Sequence, residues 1–409
     1  MNVGSLVKHP LVDPRPRIPL AYRTEERESI QEMARDFAMR EVLPVANELD
    51  PERGLIPASL RAKMADLGFF GILIPEEHGG LGLGVFEYAL ITEELARAWM
   101  SVASIITRSG IAAALDPTQR AAILPRAARG EWLGAFAMSE PGAGSDIASI
   151  RTRADKVEGG WVINGQKMWC TFADQADGIL VVARTTPYDP ARRREGIRRF
   201  IVYKNPGEFP AGCTGTPVRK IGYHGWHTFE LSFDNCFVPD DGLLGYEQDA
   251  NGPDGGFKRV ADGMLTPRIH TAARSIGLAR GALEDSIRYV QEREQFGHAI
   301  GDFQATRFKI ATMASEIELC RALMYEVATD VDAGEASDMR AAMLKYTAAE
   351  MSERVTSEAL QLHGGAGYTT DFPIERYWRD ARLTKIFEGT SEIMQRLISD
   401  RLLPPTPFR

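Results

Sequence analysis

The 409-residue chain has 44% apolar and 25% charged residues and a formal net charge of −8, values typical of a globular protein with two or three domains. The negative charge argues against a protein that binds nucleic-acid backbones, and no apolar run approaches the ~18 residues of a membrane span. Four widely spaced cysteines predict free thiols, with neither a disulfide framework nor a metal site. The N-terminus lacks the apolar core of a signal peptide, so the sequence favours a cytoplasmic protein.

Residues 1–131 are predicted to form an N-terminal α-helical domain. Ile30, Met33 and Phe37 recur at helical spacing, and the segment FEYALITEELARAW is a second helix former. The glycine-rich and proline-containing segment IPEEHGGLGLG separates helices in this domain.

Residues 132–250 are predicted to form a middle β-domain. The segment TFELSFDNCFVP alternates Phe229, Leu231 and Phe233 with polar residues, which is the period of a half-buried strand. GWVINGQKMWCT, DGILVVART and RRFIVYK are rich in β-branched and aromatic residues and are bounded by turn residues. The basic segment DPARRREGIRR is predicted to be a solvated hairpin loop.

Residues 251–409 are predicted to form a C-terminal helical bundle, entered through the glycine-rich linker GYEQDANGPDGGF. Apolar residues between 310 and 331, and again between 344 and 362, recur at alternating spacings of three and four. That spacing is typical of the packed seam of a bundle helix.

Four segments contain residues that packing alone does not explain. FAMSEPGAGSD carries glycines that permit close backbone approach to a phosphate or a polar ring edge. In GQKMWCT, strand alternation puts Trp169 and Thr171 on one face, which suits a flat heterocycle, although a buried Trp is the simpler interpretation of that segment alone. QEREQFG, with Arg293, and QLHGGAGY, a glycine-rich helix exit, follow later in the chain.

Taken together in this order, and followed by IFEGTSEI, these segments resemble the acyl-CoA dehydrogenase family from about Thr24 to Leu402. The resemblance implies an α+β, mainly α, fold with an N-terminal helical domain, a middle β-domain and a C-terminal four-helix bundle. It also implies FAD as the cofactor. The residues expected to contact FAD are Phe136, Met138, Ser139, Gly144, Ser145, Trp169, Thr171, Arg293, Gln304, Gln361, Gly364, Gly365, Thr390 and Glu392.

The resemblance further implies a homotetramer, because the residues matching Arg293 and Gln361–Gly365 contact the FAD of a neighbouring subunit in the family. Ser145 is expected to contact the flavin pyrophosphate or the pantetheine of CoA. One departure from the family is Gln295, where many relatives carry Thr; it alters at most one phosphate contact.

The family's reaction removes two hydrogens from an acyl-CoA thioester to give the trans-2-enoyl-CoA. A base takes the α-proton while the β-hydrogen leaves as hydride to flavin N5, and an electron-transferring flavoprotein then accepts the electrons. The resemblance makes Glu388 the base, in a water-poor pocket where its own amide also binds the thioester carbonyl. Part of the family carries its base elsewhere, but the matching residue here is Pro267, which cannot abstract a proton. Arg268 and Gly389 are expected to contact the substrate.

Two arginines, Arg97 and Arg108, lie in the region that lines the acyl pocket of relatives. Either could bind a distal carboxylate of the acyl group, as an arginine does in the glutaryl-CoA branch; a salt bridge is the competing explanation for each. The sequence also leaves open an acyl-CoA oxidase that uses O2, a flavin monooxygenase, a non-enzymatic DNA-associated relative and a catalytically inactive structural subunit. The presence of Glu388 argues against the monooxygenase, and the net charge argues against DNA binding.

Overall fold

The computed structural model of the chain describes residues 16–245 and 255–404. The predicted order is confirmed: helices come first, a β-sheet follows, and helices return. The predicted boundary between residues 250 and 251, and most of the glycine-rich linker around it, lie outside the described residues.

The N-terminal part consists of helices packed around a shared apolar core. Its α-helices are α1 Glu25–Phe37, α2 Leu43–Leu49, α3 Ala58–Asp66, α4 Val85–Ala98, α5 Met100–Ile105 and α6 Pro117–Ala128. Thr24 caps the start of α1, because its side chain accepts a hydrogen bond from the Arg27 amide, and Asp116 caps the start of α6 by accepting from two amides. Such caps satisfy amides that have no partner within the helix. Every residue of α4 is buried, so this helix lies inside the molecule.

The middle part is an eight-stranded sheet with the order β6-β7-β3-β2-β4-β5-β8, and β1 pairs with β4. Its strands are β1 Gly134–Ala137, β2 Arg153–Val157, β3 Gly160–Thr171, β4 Gly178–Arg184, β5 Ile197–Tyr203, β6 Cys213–Pro217, β7 Thr228–Pro239 and β8 Leu243–Leu244. The four strands predicted from the sequence correspond to β3, β4, β5 and β7. The basic segment connects the antiparallel strands β4 and β5, and residues 190–194 are exposed as predicted for a solvated hairpin loop, but its last three residues belong to β5.

The C-terminal part is built on three long helices. Its elements are α7 Gly255–Asp262, α8 Leu265–Glu292, β9 Glu294–Gln295, β10 His298–Ala299, α9 Gln304–Asp332, α10 Asp338–His363, α11 Ile374–Thr384 and α12 Ser391–Leu402. The predicted seams are confirmed, because Met313, Ile317 and Met324 of α9 and Leu344 and Val355 of α10 are buried in one core. None of the described helices is both long and apolar enough to cross a membrane.

Helices α4 and α8 approach each other closely through two glycines of α8. A Cβ atom on Gly277 would lie 2.4 Å from the Glu93 carbonyl oxygen, and one on Gly281 would lie 2.9 Å from the Arg97 carbonyl oxygen. Buried ion pairs connect these helices with each other and with α9. We call this set the ion-pair layer; its members are Glu93, Glu94, Arg97, Arg280, Glu284 and Arg321.

Candidate active site

Glu388 lies in the short turn between α11 and α12, and its backbone is left-handed, with φ 54°. This conformation is uncommon for a residue with a side chain and is typical of functional sites. Gly389 follows with φ 92°. Two contacts hold the turn: the Lys345 Nζ atom donates a hydrogen bond to the Gly389 carbonyl oxygen at 2.5 Å, and Thr390 caps α12 by accepting from the Ile393 amide.

The Glu388 carboxylate is half-buried and accepts no hydrogen bond from the described part of the chain. Its electrostatic neighbours are Arg268, Arg274, Lys345 and Tyr88. Burial lowers the pKa of Lys345 to about 8, and the negative charge of Glu388 opposes this shift. Burial likewise lowers the pKa of Arg268, with Asp338 and Glu388 opposing. The turn therefore presents an unbonded carboxylate in a predominantly cationic environment.

A small pocket lies close to this turn. The pocket is lined by Ser104, Ile105, Arg108, Thr171, Phe172, Tyr223 and Trp226. The Tyr223 ring packs edge-on against Phe387, the residue before Glu388, with the ring centroids 6.0 Å apart. The Tyr223 ring therefore lies between the pocket, which includes the last residue of β3, and the Glu388 turn. Arg108 is half-buried there and forms no ion pair or hydrogen bond with any described residue.

Arg274 of α8 lies behind the pocket and was not singled out from the sequence. Its side chain is buried, and it donates to the hydroxyl oxygens of Ser104 at 2.8 Å and Thr271 at 2.9 Å. Its guanidinium carbon lies 4.5 Å from the centre of the Phe387 ring. A signal was present in the sequence, because Arg274 interrupts a run of small and apolar residues in TAARSIGLARGALE.

The end of β3 forms an exposed aromatic face. Trp169 is 58% exposed, whereas Cys170 is buried and Thr171 is half-buried; that Trp169 and Thr171 share one face stays a prediction. Trp169 and Phe172 both have left-handed backbones, with φ 65° and φ 72°, and β3 shifts register against β7 between Lys167 and Cys170. This irregular backbone turns the indole outward.

The loop FAMSEPGAGSD is fixed next to that face by Lys167. The Lys167 Nζ atom donates to the Met138 carbonyl oxygen at 2.9 Å and to the Glu140 carboxylate at 2.8 Å. The Met168 amide donates to the Ser139 carbonyl oxygen at 2.8 Å, which joins the loop to β3 just before Trp169. No atom lies within 4 Å of where a Cβ would stand on Gly144.

This arrangement fits FAD. An exposed indole, the adjacent Thr171 hydroxyl and loop amides open to approach near Gly144 offer a stacking surface, a hydrogen-bonding group and anion-binding backbone. Phe136 and Ser139 are half-buried in the same loop, and Ser145 is exposed at its end.

The other residues expected to bind FAD lie at the end of the bundle. Tyr289 of α8 stacks on His363 of α10 at 4.2 Å between ring centroids, which brings the C-terminal ends of these helices together. Exposed residues at this end and at the start of α9 include Arg293, Gln304, Gln361, Gly364 and Gly365. Glu392 is exposed in the first turn of α12, beside the Glu388 turn.

The structure does not place Arg97 at the pocket. Its side chain is 1% exposed and donates to Glu284 at 2.8 Å, Asp285 at 2.9 Å and the Tyr377 hydroxyl at 2.8 Å. These partners satisfy the guanidinium, so the expectation that Arg97 contacts the substrate is replaced by the competing explanation, an inter-helix salt bridge.

Three acyl-CoA dehydrogenase family models match the chain: the N-terminal domain over residues 24–131, the middle domain over 135–236 and the C-terminal domain over 254–403. The chain is 39% identical over 390 residues to the (2S)-methylsuccinyl-CoA dehydrogenase of Cereibacter sphaeroides, covering 93% of this chain and 70% of that protein.

Two solved structures are similar in fold and sequence. One is butyryl-CoA dehydrogenase from Megasphaera elsdenii, with a TM-score of 0.85, 32% identity and coverage of 93% of this chain and 98% of that one. The other is a glutaryl-CoA dehydrogenase from Mycobacterium smegmatis in complex with FADH2, with a TM-score of 0.86, 26% identity and coverage of 95% and 97%. With its three domains matched in order, the chain belongs to the acyl-CoA dehydrogenase family, whose members are FAD-binding oxidoreductases that act on acyl-CoA.

Proposed function

We propose that the protein oxidises an acyl-CoA thioester to the trans-2-enoyl-CoA, with Glu388 as the general base that removes the α-proton. The observation that carries this proposal is the unbonded Glu388 carboxylate on a left-handed turn beside the pocket. A base without hydrogen-bond partners keeps its lone pairs available for the substrate proton. The Glu388 amide also donates to no described group, so it is free to bind the thioester carbonyl and stabilise the enolate that develops.

The proposed FAD site is the surface at the end of β3, formed by Trp169, Thr171 and the adjacent loop FAMSEPGAGSD; we call it the Trp169 face. Trp169 and Thr171 flank the ring, while the amides around Ser139, Gly144 and Ser145 hold its polar edge and phosphates. When bound, the flavin supplies the two-electron acceptor for the β-hydrogen of the substrate. Arg293, in the exposed group at the bundle end, is proposed to contact the FAD of a neighbouring subunit in a homotetramer. We also propose an electron-transferring flavoprotein as the final acceptor.

The test is replacement of Glu388 by glutamine in protein loaded with FAD. General bases contribute about 100-fold to 10,000-fold to a rate, so anaerobic bleaching of the flavin by acyl-CoA should slow at least ~100-fold. Flavin content should stay equal to that of the unaltered protein. Glu358→Gln is the matched control, because Glu358 is a carboxylate paired with Lys309 on the bundle surface. Undiminished bleaching in Glu388→Gln would refute the assignment.

A separate turnover assay identifies the electron acceptor. Turnover of the unaltered protein is measured with an electron-transferring flavoprotein, with an artificial dye and with O2 alone. Turnover supported by the flavoprotein and not by O2 is the expected result, whereas rapid turnover with O2 alone would favour the oxidase.

For the acyl group, we propose one with a distal carboxylate that is bound by Arg108. Arg108 lines the pocket without an ion pair, and the buried Arg274 behind it has only neutral hydroxyl groups as hydrogen-bond partners among the described residues. Glu388 is the nearby negative charge, and an anionic acyl group would offset the remaining cost of burying two arginines close together. The name of the relative (2S)-methylsuccinyl-CoA dehydrogenase, a dicarboxylic acyl-CoA enzyme, agrees with this substrate class.

Replacing Arg108 by methionine tests the carboxylate contact. A hydrogen bond to a charged group contributes about 1.5–3 kcal/mol, so kcat/KM for a dicarboxylic acyl-CoA such as glutaryl-CoA should fall roughly 10- to 150-fold. The value for butyryl-CoA, which has no distal charge, should change little. An equal effect on both substrates would contradict the role of Arg108 in binding a carboxylate.

A further inference from the structure

A hydrogen-bonded chain of side chains runs from Lys220 through Thr228 to Thr171, the last residue of β3. The Lys220 Nζ atom lies 3.0 Å from Thr228 Oγ1, which lies 2.9 Å from Thr171 Oγ1. Lys220 also donates to the Trp226 carbonyl oxygen at 2.8 Å. Thr228 is 4% exposed, so its contacts with Lys220 and Thr171 are shielded from water.

The donor and acceptor properties of the three side chains determine which group donates in each hydrogen bond of this chain. An ammonium group only donates, so Thr228 Oγ1 accepts from Lys220. A buried hydroxyl proton needs an acceptor, and the only acceptor recorded for Thr228 among the described residues is Thr171 Oγ1. Because Thr171 then accepts within the protein, its own proton is directed away from Thr228, toward the pocket that Thr171 lines. Without the lysine, Thr171 could equally donate inward to Thr228.

The surroundings keep this chain in place. Left-handed backbones at Trp169 and Phe172 bracket Thr171, and the Phe172 amide donates to the His227 carbonyl oxygen, next to Thr228 in the chain, at 3.0 Å. Burial lowers the pKa of Lys220 to about 8, with Asp380 opposing. Most of the Lys220 side chains therefore remain protonated at neutral pH.

We propose that Lys220 is a positioning residue that acts through Thr228 to fix Thr171 as an outward hydrogen-bond donor to the flavin ring. A donor and a nearby positive charge stabilise the more electron-rich, reduced form of a flavin, so this chain raises the reduction potential of the bound cofactor. The inference rests on the proposed function in one respect, because it requires FAD on the Trp169 face.

The experiment measures the reduction potential and the visible spectrum of bound FAD in Thr228→Val and Lys220→Met. Each variant should lower the equilibrium constant for two-electron reduction about tenfold, which is about 30 mV for such a couple. The double variant should show no more than the larger single shift, because both residues act through one chain. Thr228→Ser keeps the hydroxyl and should restore the original potential.

Lys204→Met is the matched control for loss of a half-buried lysine. The Lys204 Nζ atom donates to the carbonyl oxygens of Asp174 at 3.1 Å and Ala176 at 2.6 Å, and to no described threonine. Its replacement should leave the potential unchanged. Thr228→Val preserves side-chain shape, so it tests the chain even where Lys220→Met fails to fold.

The outcomes separate the two proposals. An unchanged potential in Thr228→Val with flavin bound would overturn the chain and leave the proposed function intact. A shift in Lys204→Met equal to that in Lys220→Met would show an effect of charge alone and would also overturn it. Absence of bound flavin in the unaltered protein would refute the proposed function, and the chain with it.

Discussion

Replacing Arg97 by methionine distinguishes its role in the fold from a role in substrate binding. Arg97 connects α4 to α8 through Glu284 and Asp285 and reaches Tyr377 of α11, while being 1% exposed. Removing one partner of a buried ion pair costs about 3–5 kcal/mol, because the remaining charge stays buried without compensation. Methionine fills the space of the side-chain stem but leaves the Glu284 carboxylate without that donor.

The size of the effect on thermal stability follows from the length of the chain. For 409 residues, an unfolding entropy of about 2.1 cal/mol/K per residue gives about 0.9 kcal/mol per degree if the chain unfolds as one unit. The Arg97→Met variant should therefore melt roughly 3–6 °C lower in a calorimetric or fluorescence scan. Arg354→Met is the control, since Arg354 pairs with Glu316 on the surface and such a pair contributes at most about 1 kcal/mol.

The same variant is assayed with substrates. The ratio of kcat/KM for glutaryl-CoA to that for butyryl-CoA should match that of the unaltered protein, because Arg97 lies in the ion-pair layer. An unchanged melting temperature together with a selective loss of glutaryl-CoA turnover would refute this reasoning.

Two further changes test the Glu388 turn. Gly389→Ala places a side chain where φ is 92° and where its Cβ would lie 2.5 Å from the Met394 methyl carbon. The variant should lower the free energy of unfolding by about 1–2 kcal/mol and lower kcat, with flavin retained. Unchanged kcat and melting temperature would contradict the strained geometry. For Lys345, the folded pKa of about 8 lies below the ordinary 10.5, so the unfolded chain binds more protons between these values and the lysine contributes more stability as pH rises. The melting temperature of the unaltered protein relative to Lys345→Met should accordingly increase from about pH 8 to about pH 10, and a constant difference would exclude the shift.

The fold was predictable from the sequence because its elements have clear periods. The alternation in β7 and the seams of α9 and α10 each depend on one buried face, which local spacing reveals. The left-handed backbone at Trp169 could not be predicted, because it depends on the register shift between β3 and β7.

The partners of the charged residues in α8 could not be predicted from the sequence. Arg274 and Arg280 lie six residues apart in the same helix, and both are buried. Arg280 pairs with the Glu94 carboxylate, whereas Arg274 meets the Ser104 hydroxyl. These partners come from parts of the chain far away in sequence, so neither arginine could be assigned from α8 alone. Glu388 was singled out from the resemblance, but the contact of its turn with Lys345 depends on tertiary packing in the same way.

The ion-pair layer has a consequence for how substrate preference can change in this protein. Sliding α8 along α4 would force the carbonyl of Glu93 against Gly277 and separate several buried charges at once, each at a cost of kilocalories. These contacts hold α8, and Arg274 with it, in one position along α4. If Arg108 binds the acyl group as proposed, we expect substrate preference to change through single side chains that line the pocket, while the spacing of α4 and α8 is kept.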